Sequence, residues 1–304
     1  KLIPTTVKIV DIAGLVKGAS KGEGLGNKFL ANIRETDAII HVLRCFEDEN
    51  IVHVDGSVDP VRDLNTINME LQLKDLETLE KIYDKNIRTA KSGDKSAQKI
   101  IDVIKKYIKH LSAGNSARSF NPSNEELSII SNIHLITNKP VLYVCNVDEA
   151  SVLEGNKYVE NVKEAIKNEN SEVLSIATAI ESEIADLDDV EEQILFLQEL
   201  GLEKPGVHYL IKSTYKLLNL QTYFTAGPKE VRAWTIINGT KAPQAAAVIH
   251  TDFEKGFIRA EVIAYDDFIS LGSEQSCRDS GKMSIEGKEY IVNEGDVMEF
   301  LFNV

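Results

Sequence analysis

Residues 7–17, VKIVDIAGLVK, constrain this chain more than any other stretch, because a strand-like apolar run ends in Asp-x-x-Gly and empties into a glycine-rich loop. The run predicts a buried strand. A carboxylate at the carboxyl end of a parallel strand can hold Mg²⁺ directly or through water, and a glycine three residues on lets a backbone N–H approach a terminal phosphate with no Cβ in the way. Asp11 and Gly14 occupy those two places, with Asp11 the candidate metal-linked residue. The bland alternative is an ordinary glycine turn after a strand. Gly18, Gly22, Gly24 and Gly26 follow, and then NKFLANIRETDAIIHVL predicts a helix leading into a second apolar strand. A loop so rich in glycine suits a segment that orders around a γ-phosphate and relaxes after hydrolysis. A dinucleotide loop fits less well, since Gly22-Glu23-Gly24-Leu25-Gly26 is not GxGxxG and no acidic residue ends a strand at the right distance.

The strand PVLYVCN at 140–146 runs into Asn146-Val147-Asp148-Glu149, where a guanine-reading site would place Asn-Lys-x-Asp. In that pattern the aspartate accepts hydrogen bonds from guanine N1–H and the exocyclic amine, the asparagine meets the purine edge, and the lysine stem packs on the nucleotide. Glu149 is a methylene too long for this, and Val147 carries no charge. Adenine presents the opposite donor and acceptor pattern, and a buried polar group left unpaired costs about 1–3 kcal/mol. The departure favours ATP or relaxed purine choice over strict GTP. A strand followed by a polar turn is the alternative. Ala177, Thr178 and Ala179, at the end of the next predicted strand, are the expected second wall of the base pocket.

No GxxxxGK[ST] occurs in the 304 residues, and Gly93-Asp94-Lys95-Ser96 reads as a turn between helices. The residue after Asp-x-x-Gly is Leu15, whose alkyl chain cannot orient water as glutamine does. His53, in the acidic loop FEDENIVHVDGSVD, is the candidate to position or deprotonate water, against the reading of a solvated loop histidine. Arg34, His41 and Arg44 read as packing or surface residues.

Helical spacing of Met69, Leu73, Leu76, Tyr83 and Ile87, and of Ile100, Ile104, Tyr107, Ile108 and Leu111 after the Ser92-Gly93-Asp94 break, predicts a helical hairpin interrupting an α/β pattern. Between 81 and 118 it carries ten basic side chains and three acidic ones, on a chain of net charge −14. Lys99, Lys105, Lys106 and Lys109 are the candidate RNA contacts; a solvated helix face is the equal alternative. After Leu220 the pattern turns to short strands with Asn238-Gly239, Glu286-Gly287 and Glu294-Gly295 turns, a separate domain. The expected division is therefore 1–63 with 119–220, an insertion at 64–118, and 221–304. Three widely spaced cysteines make neither a disulfide framework nor a zinc site, and no apolar run reaches the roughly 20 residues of a membrane span. A reducing cytoplasm is expected. The chain opens on Lys1 inside an extended segment without an initiator Met, so its front is expected to be truncated.

VDIAGLVKGASKGEGLGNKFLANIRETDAI, the IVHV of 51–54, NVDE, and LNLQTYFTAGPKEVRAWTI with AAAVIHTDFEKGFIRAEVIAYDDF closely resemble the YchF family, the Obg-like ATPases, over essentially the whole chain. The resemblance implies a P-loop NTPase domain, here incomplete at its N-terminus, with an inserted α-helical coiled-coil hairpin and a C-terminal β-grasp (TGS) domain. It implies Mg²⁺-dependent ATP hydrolysis in preference to GTP and a link to translation and stress responses. As partners it implies the ribosome, through the large subunit and rRNA, with the protein a cytoplasmic monomer. By the same likeness Asn146, Val147 and Glu149 carry base specificity, Asp11 and Gly14 the switch, and His53 the role of the missing glutamine. The family's front end, with the phosphate cradle, does not match anything here, so the chain alone is expected to be inactive. Two classes stay open: an ATP-driven switch enzyme, and a non-hydrolysing ribosome or RNA-binding module with a vestigial nucleotide site.

Overall fold

The computed structural model describes residues 1–12, 32–53 and 56–303. Two compact units emerge, residues 10–213 and residues 1–9 with 214–304. Both are α/β, the class the strand and helix patterns predict.

The first element departs from expectation. Strand β1 is only Leu2–Ile3, and it joins β6 of the C-terminal unit. Residues 4–12 form no strand, and Ile9 and Val10 are exposed. The buried strand predicted over 7–11 is therefore absent. An apolar run specifies a strand only where a ladder partner completes its backbone hydrogen bonds, and the edge that Leu2–Ile3 finds is β6.

In residues 10–213 three parallel strands, β2 (Ile39–Arg44), β3 (Val141–Asn146) and β4 (Glu172–Ile176), lie in the order β2-β3-β4. The middle strand is buried over Val141–Cys145, which is why its sequence is continuously apolar where a half-solvated strand would alternate. Its core contains Leu43, Tyr143, Cys145, Val159, Val162 and Ile180.

Helix α1 (Pro60–Lys91) starts where Asp59 accepts from Arg62 N and Pro60 takes the first turn; α2 (Lys95–Ser112) starts where Asp94 accepts from Ser96 N and Ala97 N. Gly93, at φ +96°, makes the reversal that a Cβ would strain. The hairpin is present, but it does not stand clear of its unit. Leu79, Val103, Ile104, Tyr107 and Leu111 share a core with Ala117, Ile130 and Leu135 from the chain that follows, including α3 (Asn124–Ile130). Asp75, 1% exposed, accepts from Ile136 N at 2.8 Å, Thr137 N at 2.7 Å and Thr137 Oγ1 at 2.7 Å. Burial pushes its carboxyl up even against those three donors. Helices α4 (Lys157–Ala165), α5 (Thr178–Ala185), α6 (Val190–Glu199) and α7 (Gly206–Leu217) complete the series.

The other unit holds the mixed sheet β1-β6-β5-β9-β7-β8, with β5 (Leu220–Ala226), β6 (Val231–Ile237), β7 (Phe257–Ile263), β8 (Met283–Glu286) and β9 (Val297–Phe302). Helices α8 (Ala242–Ile249), α9 (Thr251–Lys255), α10 (Tyr265–Leu271) and α11 (Glu274–Asp279) connect its strands. Tyr223, Ala246, Phe257, Val262 and Phe300 lie in its core.

Candidate functional site

Parallel strands deliver their loops to one end, so the chain leaving β2, β3 and β4 at their carboxyl ends gathers there, the usual place for ligands in α/β sheets. Asn146 is the last residue of β3, and its Oδ1 accepts from Thr178 N at 3.2 Å and Thr178 Oγ1 at 3.0 Å. The two predicted walls of the base pocket are thus joined directly. With the carbonyl oxygen turned to Thr178, the Asn146 amide offers its NH₂ as donor, the polarity that a purine N7 acceptor needs. Thr178 and Ala179 are exposed at the start of α5, while Ala177, just before it, is buried.

Val147 requires a correction. Its side chain, 3% exposed, belongs to the core with Leu43 and Cys45, and its N–H donates to Ile176 O at 3.0 Å. Valine is pulled inward by apolar burial where lysine would stay in water, so this residue offers no side chain to a nucleotide. Asp148 accepts from Ser151 N at 3.0 Å and caps the turn Glu149–Ser151, which leaves exposed Glu149 as the acidic group beyond the strand.

His53 is not simply solvated. Its Nε2 lies 2.9 Å from Asp63 Oδ2, in the first turn of α1, and both side chains are mostly shielded. The loop that presents it is held by Arg44, a residue whose role the spacing of the sequence could not reveal. Arg44 donates from Nε to Phe46 O at 3.1 Å, from Nη1 to Ile51 O at 2.9 Å and from Nη2 to Asp48 O at 3.2 Å, and its guanidinium sits 4.9 Å from the Phe46 ring centre. An arginine ending a strand beside a polar loop was the only available signal. His41 packs against Tyr143 at 5.7 Å between ring centres. Burial, with Arg118 nearby, lowers it to about 4 and keeps the imidazole neutral. Arg34 donates to Thr78 Oγ1 at 2.9 Å. The buried thiols of Cys45 and Cys145 are free; the hydrogen bond between them and then burial push the Cys45 thiol up.

Asp11 lies exposed in the irregular segment, away from any strand end, and Gly14 falls outside the described residues. Among the described residues no second carboxylate, histidine or cysteine gathers with Asp11 into a metal-binding group. The described residues therefore do not by themselves gather into a Mg²⁺ site around Asp11.

The four hairpin lysines divide. Lys99 pairs with Glu125 and Lys106 with Glu126, both on α3, while exposed Lys105 lies 6.0 Å from the Tyr83 ring centre and Lys109 is exposed. Arg118 leaves the face altogether, donating to Glu169 Oε2 at 2.9 Å and Tyr143 Oη at 3.1 Å. The local positive excess is smaller than the linear count because α3 brings two carboxylates against it.

A family model described as "50S ribosome-binding GTPase" matches residues 2–81, and the YchF-GTPase C-terminal model, described as "Protein of unknown function (DUF933)", matches residues 220–303. The chain is 55% identical over its whole length to the "Ribosome-binding ATPase YchF" of Haemophilus influenzae, covering 83% of that protein. The chain belongs to the YchF family. The similarly named YchF of Bacillus subtilis is 49% identical over 306 residues, again with 83% of its length covered. The solved structure of the Schizosaccharomyces pombe YchF GTPase superposes with a TM-score of 0.86 at 39% identity, covering 99% of this chain and 81% of that one. The YchF relationship runs through both units.

Proposed function

We propose that this YchF-family chain belongs to a nucleoside triphosphatase that hydrolyses ATP and acts on the ribosome. The observation that carries the reading is the pair of hydrogen bonds from Thr178 to Asn146, which unites the two base-facing loops at the carboxyl ends of β3 and β4. Glu149 in place of a guanine-reading aspartate, with Val147 withdrawn into the core, favours adenine. Asn146, Glu149, Thr178 and Ala179 then surround the base, with Ala177 packed beneath. Titration of the complete protein with both nucleotides tests the choice. GTP bound tenfold tighter than ATP, about 1.4 kcal/mol, defeats it.

His53 is the residue assigned to water. It is held by Asp63 and borne by a loop that Arg44 ties down. His53→Ala is expected to lower kcat by a factor on the order of 10²–10⁴ with ATP affinity unchanged; unchanged turnover removes His53 from the reaction. Mg²⁺ would enter with the nucleotide phosphates, and in this reading Asp11 and Gly14 serve as switch residues.

The partner side of the reading assigns residues 64–118 as a hairpin that meets rRNA on the large subunit, residues 1–63 with 119–220 as the nucleotide domain, and residues 221–304 as a TGS domain. Support comes from the basic hairpin and from the names of the relatives. Residues 223–304 have thirteen acidic side chains against eight basic ones, so they offer phosphate no comparable excess. Among the described residues no helix is long and apolar enough to cross a membrane. A monomer working in the cytoplasm and linked to translation under stress completes the proposal. Changing Lys99, Lys105, Lys106 and Lys109 to Glu should weaken ribosome co-sedimentation and flatten its salt dependence. Binding that survives the change moves the contact to another surface.

A further inference from the structure

A histidine on a loop acts as a base only if its ring is held in one orientation and one tautomer, and the structure supplies the holder. Asp63 lies in the first turn of α1, on rigid backbone, where its N–H donates to Asp59 O at 3.1 Å and the helix N-terminus favours a carboxylate. Its Oδ2 is 2.9 Å from His53 Nε2. Its Oδ1 accepts from Arg62 Nε and Nη2, each at 3.2 Å. The same guanidinium donates from Nη1 to Ser57 Oγ at 3.1 Å and from Nη2 to Ser57 O at 2.7 Å, so one arginine braces both the carboxylate and Ser57. The side chains of His53 and Asp63 are 17% and 25% exposed, a shielding that gives the pair more weight than an ion pair open to solvent.

We propose that Asp63, braced by Arg62, is the positioning residue for His53, fixing its ring and tautomer for water activation. The inference rests on the assignment of His53 to hydrolysis. An ionised carboxylate only accepts, so the imidazole must donate from Nε2, and Nδ1 becomes the basic nitrogen of the neutral ring. When that nitrogen takes a proton from the attacking water, the carboxylate stabilises the imidazolium without being protonated itself. The logic is that of a carboxylate orienting a general base.

Turnover and ATP affinity of the complete protein, measured with ATP and Mg²⁺, test this. Asp63→Asn keeps the shape but loses the charge and admits the wrong tautomer. It should lower kcat by a factor on the order of 10² while ATP affinity stays within about twofold. In a His53→Ala background the same change should do nothing further, because Asp63 acts through the imidazole. Asp63→Glu keeps the charge and should recover part of the loss; should Asp63→Asn fail to fold, Asp63→Glu compared with and without His53→Ala gives the same reading. Full turnover in Asp63→Asn alongside a slow His53→Ala overturns the positioning role and leaves His53 standing. Loss of equal size in the two backgrounds, or weakened ATP binding, makes Asp63 a loop brace only. A His53→Ala enzyme at full speed removes both assignments.

Discussion

Asp75→Ala should be among the most destabilising single changes in residues 10–213, and the structure allows its size to be worked out. Three donors, Ile136 N, Thr137 N and Thr137 Oγ1, converge on this 1%-exposed carboxylate at 2.7–2.8 Å. Truncation leaves them buried without an acceptor, and each orphan costs about 1–3 kcal/mol. Against this, the variant no longer desolvates a carboxylate, the effect that dominates in raising the Asp75 pKa. The balance comes to about 3–4 kcal/mol. Because burial raises the folded-state pKa above the ordinary carboxylate value, the folded protein binds the proton more readily than the unfolded chain, so the group's own contribution grows as pH falls through the carboxylate range and acid should widen the gap between wild type and variant. Urea unfolding followed by far-ultraviolet circular dichroism gives the global number, and amide exchange at Ile136 and Thr137 reads the site itself. Trp234, the single tryptophan, lies in the other unit and reports on it separately. Pairing Asp75→Ala with Thr137→Val removes the orphaned hydroxyl but strips Ala117 N of the Thr137 Oγ1 acceptor it meets at 3.0 Å, so one orphan replaces another and little stability should return. A loss below about 1 kcal/mol, with exchange at the two amides unchanged, would refute the reasoning that these donors depend on Asp75.

Other changes probe other parts of the molecule. His41 is held at about 4 against 6.5 in the unfolded chain, so stability present above pH 6.5 is lost as pH falls toward 4, by up to about 3 kcal/mol, and His41→Phe should flatten that part of the urea-midpoint profile. Thr178→Val removes the hydroxyl that donates to Asn146 Oδ1 at 3.0 Å, and ATP affinity of the complete protein should drop several-fold with kcat little altered, as equilibrium titration and steady-state turnover can show. A Cβ at Gly256 would meet Asn303 O at 2.1 Å, a backbone atom that cannot swing aside, so Gly256→Ala should lower the unfolding midpoint read by Trp234 fluorescence.

Legibility followed the range of the interaction involved. The hairpin break at Ser92-Gly93-Asp94 was readable because capping and positive φ are local demands, and Asp94 and Gly93 meet them where they stand. The continuous apolar run of β3 was readable because burial on both faces leaves no polar alternation. The lysines misled in part, since charge counted along the chain omits Glu125 and Glu126, which only folding brings against Lys99 and Lys106. The apolar run reads as strand up to Ala179, but the strand ends at Ile176 and Thr178–Ala185 is helical.

By itself the amino-acid sequence determined the α/β class, the strand-end motif at Asn146, the insertion of a helical hairpin and, through long shared motifs, the YchF relationship, because each depends on residue types at short and regular spacing. Tertiary structure alone decided that Leu2–Ile3 pairs with β6, that Val147 points into the core, that Arg44 ties down the loop before His53, and that Asp63 receives the imidazole. Those outcomes turn on which backbone edge or side-chain partner is within reach once distant segments meet, and a hydrogen bond of about 3 Å between residues that the sequence places far apart leaves no periodic trace in the chain.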